Sequence, residues 1–134
     1  MLIKLGIKYG SPEAIDLCDM IGHTMADMAI KTSAVLAKEY GVYPKYKPEA
    51  VEQSAFYSKN ALGETKELVE SFGLRNSQLL TIAPTGSLST MLGVSGGIEP
   101  IFANYYTRKT ESLKGHDEYY KVYTPIVKEY MDKH

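Results

Sequence analysis

With 134 residues the chain has room for one compact domain and hardly for two, and 44% apolar residues are enough for a core, which excludes wholesale disorder. Fifteen Lys and Arg against sixteen Asp and Glu leave a net charge of −1, without the basic footprint of a nucleic-acid or anionic-membrane surface. A single cysteine excludes a disulfide framework and a cysteine-built zinc cage.

Nor do the apolar runs approach a bilayer span, and the first ten residues lack the apolar stretch of a signal peptide, so the expectation is a soluble, cytoplasmic chain. Ser11-Pro12-Glu13 reads as a helix start: a hydroxyl cap, a proline at the first helical position, and negative charge near the positive dipole end. Ile15, Cys18, Ile21, Met25, Met28, Thr32, Val35 and Leu36 recur every three to four residues, and Gly41 looks like the stop. That predicts one helix from 12 to 40, about 43 Å long, with this stripe facing the core. Cys18 is then a packing residue, and Asp16, Asp19 and Asp27 form a solvated face.

Val42 to Lys47 reads as an extended loop between prolines, and Pro48 to Gln53 as a short helix. A break at 60–63 leads to a second helix, Glu64 to Phe72, stopped by Gly73. Leu79 to Ala83 is a buried-strand candidate running into Pro84-Thr85-Gly86-Ser87, after which Ser87 to Leu92 can be helical. Ser95-Gly96-Gly97 reads as a turn, Ile101 to Thr107 as a strand, and Asp117 to Lys133 as a closing helix carrying Tyr119, Tyr120, Tyr123 and Tyr130. The class is α/β, helix-rich, in a single partial domain with two or three short strands.

Chemistry concentrates at the strand-to-helix junction. Such a turn points free backbone N–H groups and a positive dipole end outward, Gly86 permits close approach, and the hydroxyls of Thr85, Ser87 and Ser89 add donors. The arrangement suits a phosphate, and an ordinary capped helix after a strand explains it equally simply. It is not a Walker loop, because no Gly-Lys-Ser or Gly-Lys-Thr follows. Glu99 either orients this loop by accepting its amides or is a plain turn residue. His23, His116 and His134 form no cluster with metal-ligand spacing. Tyr105 and Tyr106 read as a strand pair packed on both faces, and Arg108 either reaches a phosphate or pairs with Glu111. Lys and Tyr alternate from 109 to 128, but interleaved acids cancel the charge that a nucleic-acid surface needs.

Leu74 to Ser89, with its A-P-T-G-S-L-S core, followed by G-V-S-G-G-I-E-P-I-F-A over 93–103 and Tyr106-Thr-Arg108, resembles the large catalytic subunit of ribonucleotide reductase, nearest its adenosylcobalamin-dependent (class II) branch. The resemblance implies a piece of a ten-stranded α/β barrel. It implies that Pro84, Thr85, Gly86, Ser87, Leu88 and Ser89 hold the phosphates of a ribonucleoside di- or triphosphate, with Glu99 as support. The parent reaction would replace the ribose 2′-hydroxyl by hydrogen through a cysteine radical generated by adenosylcobalamin. The family uses three cysteines for that chemistry and only Cys18 is present, so the expectation is a chain with no catalytic residue, no metal site and no bound cofactor of its own. Its expected partners are the nucleotide, the remainder of the catalytic subunit and a second copy of itself, with neither nucleic acid nor membrane. The rival readings are a freestanding phosphate-binding module and a tyrosine-rich interaction domain.

Overall fold

A computed structural model describes residues 1–111 and 115–133, Glu111 by its backbone only, so that His134 and the pairing of Arg108 with Glu111 lie outside the described residues. The chain divides into two compact units, 1–81 and 82–134. In the first, a short helix α1 (Leu2–Leu5) ends on Gly6 and precedes α2 (Pro12–Tyr40), which dominates the unit. Both ends of α2 form as their local chemistry dictates. Ser11 Oγ accepts the Ala14 N–H at 3.2 Å, and the Gly41 N–H closes on the Ala37 carbonyl at 2.8 Å. Three more helices follow, α3 (Pro48–Glu52), α4 (Ala55–Asn60) and α5 (Gly63–Phe72).

The face that α2 buries is not the predicted one. Ala26, Asp27, Ile30, Ser33, Ala34 and Ala37 are buried, whereas Ile15, Met25, Met28 and Val35 are at least half exposed. Cys18 is likewise exposed rather than packed. Small residues let α5 and the chain beyond it come close to α2, and the bulky stripe points elsewhere. The core cluster joins Ile30 and Ala34 to Val51, Tyr57, Ala61, Val69 and Leu74.

Two polar fasteners hold this packing. Asp27, expected on a solvated face, is only 9% exposed, and its Oδ1 accepts the Leu62 N–H at 2.8 Å. Leu62 precedes the first turn of α5, so a carboxylate from α2 satisfies an amide that the helix start leaves orphaned. Asp27→Ala should therefore cost about 1–3 kcal/mol, and Asp27→Asn, which keeps the acceptor, much less. Urea melts of the two variants check this, and equal losses would refute the fastening role. The second fastener is Ser33, whose carbonyl accepts the Arg75 N–H at 3.1 Å. Its hydroxyl accepts the Asn76 N–H at 3.0 Å and donates to Asn76 Oδ1 at 3.2 Å.

The second unit departs further from expectation. Leu79 to Ala83, at the boundary, forms no strand, with Leu80 48% and Ile82 74% exposed. A strand exists only with a ladder partner, and the described residues supply none. A helix α6 (Gly86–Leu92) ends on Gly93. The expected strand at 101–107 forms later, as β1 (Tyr105–Glu111), and the expected helix at 117–133 is split into β2 (Asp117–Tyr123) and α7 (Pro125–Lys133). The tyrosines and Val122 favour a pleated strand, and Pro125 cannot sit inside a helix but can begin one. The two strands pair antiparallel, Tyr105 opposite Tyr123 and Glu111 opposite Asp117. Lys109 Nζ meets Asp117 Oδ2 at 2.7 Å, and the Tyr105 and Tyr123 rings lie 5.6 Å apart. Tyr105 and Tyr106 are about half exposed, so neither face of β1 is packed as expected. No helix among the described residues is long and apolar enough to cross a membrane.

Candidate phosphate-binding loop

The junction from Ala83 to Gly97 is a self-contained loop closed by a backbone-to-hydroxyl strap. Thr85 precedes α6 with φ 47° and ψ 30°, the one non-glycine residue at positive φ among the described residues. A threonine in that left-handed region costs about 1–2 kcal/mol and needs surrounding structure to hold it. The support comes from the glycine turn downstream: the Gly97 N–H donates to Thr85 Oγ1 at 3.1 Å. A Cβ on Gly96 would lie 3.1 Å from the Pro84 carbonyl oxygen and 3.4 Å from Ser89 Oγ, so the two glycines let this turn lie flat against the loop.

The hydroxyls have divided roles. Ser89 is buried, and its Oγ donates to the Gly86 carbonyl at 3.0 Å. The Thr90 hydroxyl donates to the same carbonyl at 2.9 Å. Thr85 and Ser89 thus spend their hydroxyls inside the loop. Ser87 is exposed and its hydroxyl has no partner among the described residues. The Ser89 N–H bonds the Thr85 carbonyl at 2.8 Å. The three preceding amides, Gly86, Ser87 and Leu88, take no acceptor among the described residues. Gly86 faces open space, with nothing within 4 Å of where a Cβ would stand. Three N–H groups and one hydroxyl of the loop are thus left without a partner among the described residues.

Glu99 is exposed, and the one hydrogen bond it makes among the described residues runs from its own N–H to the Gly96 carbonyl at 3.2 Å. The loop contact comes instead from Gly97, which the sequence marked only as part of a turn. Arg108 stands on β1 opposite Tyr120. His23 lies 3.5 Å from Asp19 Oδ2, one helical turn away, and His116 lies 3.9 Å from Glu118 Oε1. No group of three or more His, Cys, Asp or Glu side chains among the described residues is arranged to hold a metal ion. Two cavities of about 430 and 210 Å³ occur in the first unit.

The family model for the ribonucleotide reductase barrel domain matches residues 1–133. The chain belongs to that family. It is 29% identical over 133 residues to the ribonucleoside-diphosphate reductase subunit alpha of Chlamydia pneumoniae, covering 84% of this chain and 13% of that one. It is 37% identical over 108 residues to the vitamin B12-dependent ribonucleoside-diphosphate reductase of Thermoplasma acidophilum, covering 81% of this chain and 12% of that one. The subunit alpha of Helicobacter pylori is 32% identical over 133 residues, 86% of this chain and 17% of the relative. The chain thus spans less than a fifth of the length of these relatives. They include B12-dependent enzymes and others named only as alpha subunits, so the family is shown at the level of the large subunit rather than the cobalamin branch.

Proposed function

We propose that this chain contributes the substrate-phosphate loop of a ribonucleotide reductase catalytic subunit, with Gly86, Ser87 and Leu88 as the amide donors and the Ser87 hydroxyl as a fourth. Pro84 and Thr85 shape the turn, and Ser89 locks it from inside. The observation that carries the reading is the set of three consecutive amides without an acceptor among the described residues, beside the strap from Gly97 to Thr85. The ligand is the phosphate end of a ribonucleoside di- or triphosphate. The parent subunit would be of the adenosylcobalamin-dependent type, a reading supported by 37% identity to a B12-dependent relative. When bound, that cofactor would generate the radical that starts the reaction, while the reducing electrons would come from cysteines of the parent subunit. This chain's share in the proposal is binding and orientation, since the family's chemistry uses three cysteines and Cys18 is the one in this sequence.

Charge-assisted contacts are worth roughly 1.5–3 kcal/mol each before the costs of association, so three of them without the rest of a nucleotide pocket give about millimolar binding. Titrating pyrophosphate into labelled protein should shift the amides of Gly86, Ser87 and Leu88. Ser87→Ala should weaken binding little, since the amide stays. Ser87→Pro removes a donor and should abolish it. Gly86→Val, at a position open on the protein side, should also abolish it without unfolding the loop. Shifts located elsewhere, or undiminished in Gly86→Val, would leave α6 an ordinary capped helix.

Assembly with the remainder of the subunit belongs to the same proposal, since the bulky stripe of α2 has no cover in the first unit. Alone, the chain should self-associate through it, visible as species above monomer mass in light scattering. A monomer at every concentration would argue for the freestanding module instead.

A further inference from the structure

The 83–97 loop is fastened at two ends, and the far end rests on α7. At the near end Thr85 holds its left-handed conformation. At the far end α6 closes on Gly93, with φ 67° and ψ 32°. There the Gly93 N–H donates to the Thr90 carbonyl at 3.3 Å, and the Val94 N–H to the Ser89 carbonyl at 3.0 Å. Val94 and Ser95 alone separate Gly93 from the glycine turn that straps Thr85. The seven residues of α6 set the two ends about 10 Å apart.

What touches the far corner is the start of α7. A Cβ on Gly93 would stand 3.4 Å from Pro125 Cγ and 3.6 Å from Pro125 Cβ, so the proline ring packs over a bare α-carbon. That ring is itself held. Thr124 donates its N–H, at 2.9 Å, and its hydroxyl, at 3.2 Å, to the Asn104 carbonyl just ahead of β1. The Thr124 carbonyl accepts the N–H groups of Val127 and Lys128, each at 3.0 Å. Pro125 opens α7 with a φ that its ring fixes. Ile126 and Val127 are half-buried, and every described residue of α7 beyond them is exposed. The helix is therefore gripped at its first turn, where it meets both the neck of the hairpin and the corner of the loop.

Thr85 is the element that such a contact can bias. Its left-handed conformation is strained and persists only while the Gly96–Gly97 turn lies against it. If Gly93 shifts, the two residues beyond it carry the shift to that turn, and Thr85 relaxes to an ordinary φ. We infer that Pro125 is a positioning residue: through Gly93 it keeps the turn seated on Thr85 and, resting on the phosphate reading for the ligand, the seating of α7 sets the affinity of the loop.

Pro125→Ala tests this at an exposed position, leaving a good helix former at the start of α7. Two readouts come from the isotope-labelled 134-residue chain. Without ligand, the intraresidue HN–Hα cross-peak of Thr85, strong at positive φ, should weaken, and exchange of the Gly97 amide should quicken. Cross-strand contacts between β1 and β2 should stay as they are. With pyrophosphate, affinity should fall about fivefold. Thr124→Val, which loses one of the two bonds to Asn104, should move both readouts in the same direction and less, and it decides the matter if Pro125→Ala disturbs the hairpin. Lys128→Ala, further along α7, should move neither. A parent chain that binds no pyrophosphate at the loop would refute the phosphate reading, while the ligand-free signals would still report the coupling. Unchanged Thr85 and Gly97 signals would overturn the positioning role, as would altered signals with undiminished affinity.

Discussion

Ile30→Ala should cost the first unit about 3 kcal/mol, within the range of 2–5 kcal/mol found for emptying a well-packed core position. Ile30 is 1% exposed and shares a cluster with Ala34, Val51, Tyr57, Val69 and Leu74, drawn from four segments of chain. Removing its outer carbons leaves a cavity that none of these can fill without moving a helix. The control lies on the same helix. Met25→Ala and Val35→Ala alter side chains that are 54% and 50% exposed, and each should change stability by about 0.5 kcal/mol or less. Urea unfolding followed by circular dichroism separates the two faces: the midpoint should fall for Ile30→Ala with little change in slope. Similar losses at Met25 or Val35 would mean that the bulky stripe, and not the small-residue one, carries the core.

Gly96→Val should abolish pyrophosphate binding while leaving the first unit's melt unchanged. Even a bare Cβ at Gly96 meets the Pro84 carbonyl oxygen at 3.1 Å, with Ser89 Oγ and Thr85 Oγ1 close behind. Valine's branches need more room still. The turn must then lift away from the loop, taking with it the Gly97 N–H that holds Thr85 at positive φ. Once released, Thr85 returns to an ordinary conformation and the turn into α6 changes shape. The change touches no proposed ligand contact, so lost binding reports positioning. Retained binding would show that the loop keeps its shape without the strap.

How much of this was legible in the sequence depends on whether the deciding forces are local. The ends of α2 were, because Ser11, Pro12 and Gly41 act through neighbours three or four residues away. The buried face was not. Apolar periodicity points to the bulky stripe, but α5 packs on the small residues, and alanine and serine carry little hydrophobic signal. Asp27 was misplaced for the same reason, since its partner amide is thirty-five residues away. At the other end, Tyr119, Tyr120 and Tyr123 sat in a pattern compatible with a helix until the pairing with β1 decided otherwise. The position of the loop was legible from A-P-T-G-S. Which hydroxyls turn inward was not, because that depends on Gly97, twelve residues downstream of Thr85.

The fasteners on α2 also bear on the order in which the chain acquires structure. Asp27 reaches Leu62 over thirty-five residues, and Ser33 reaches Asn76 over forty-three. Loop-closure entropy grows only with the logarithm of length, so the second closure adds only about 0.2 kcal/mol beyond the first. Helical units joined by short connections sit at the fast end of folding. In a growing polypeptide, residues 1–81 can therefore collapse around Ile30 before most later segments have been made. The exposed stripe of Met25, Met28 and Val35 would then wait as a sticky surface throughout synthesis. Charged substitutions on that stripe would spare this early intermediate and block the later docking, separating a folding defect from an assembly defect in one protein.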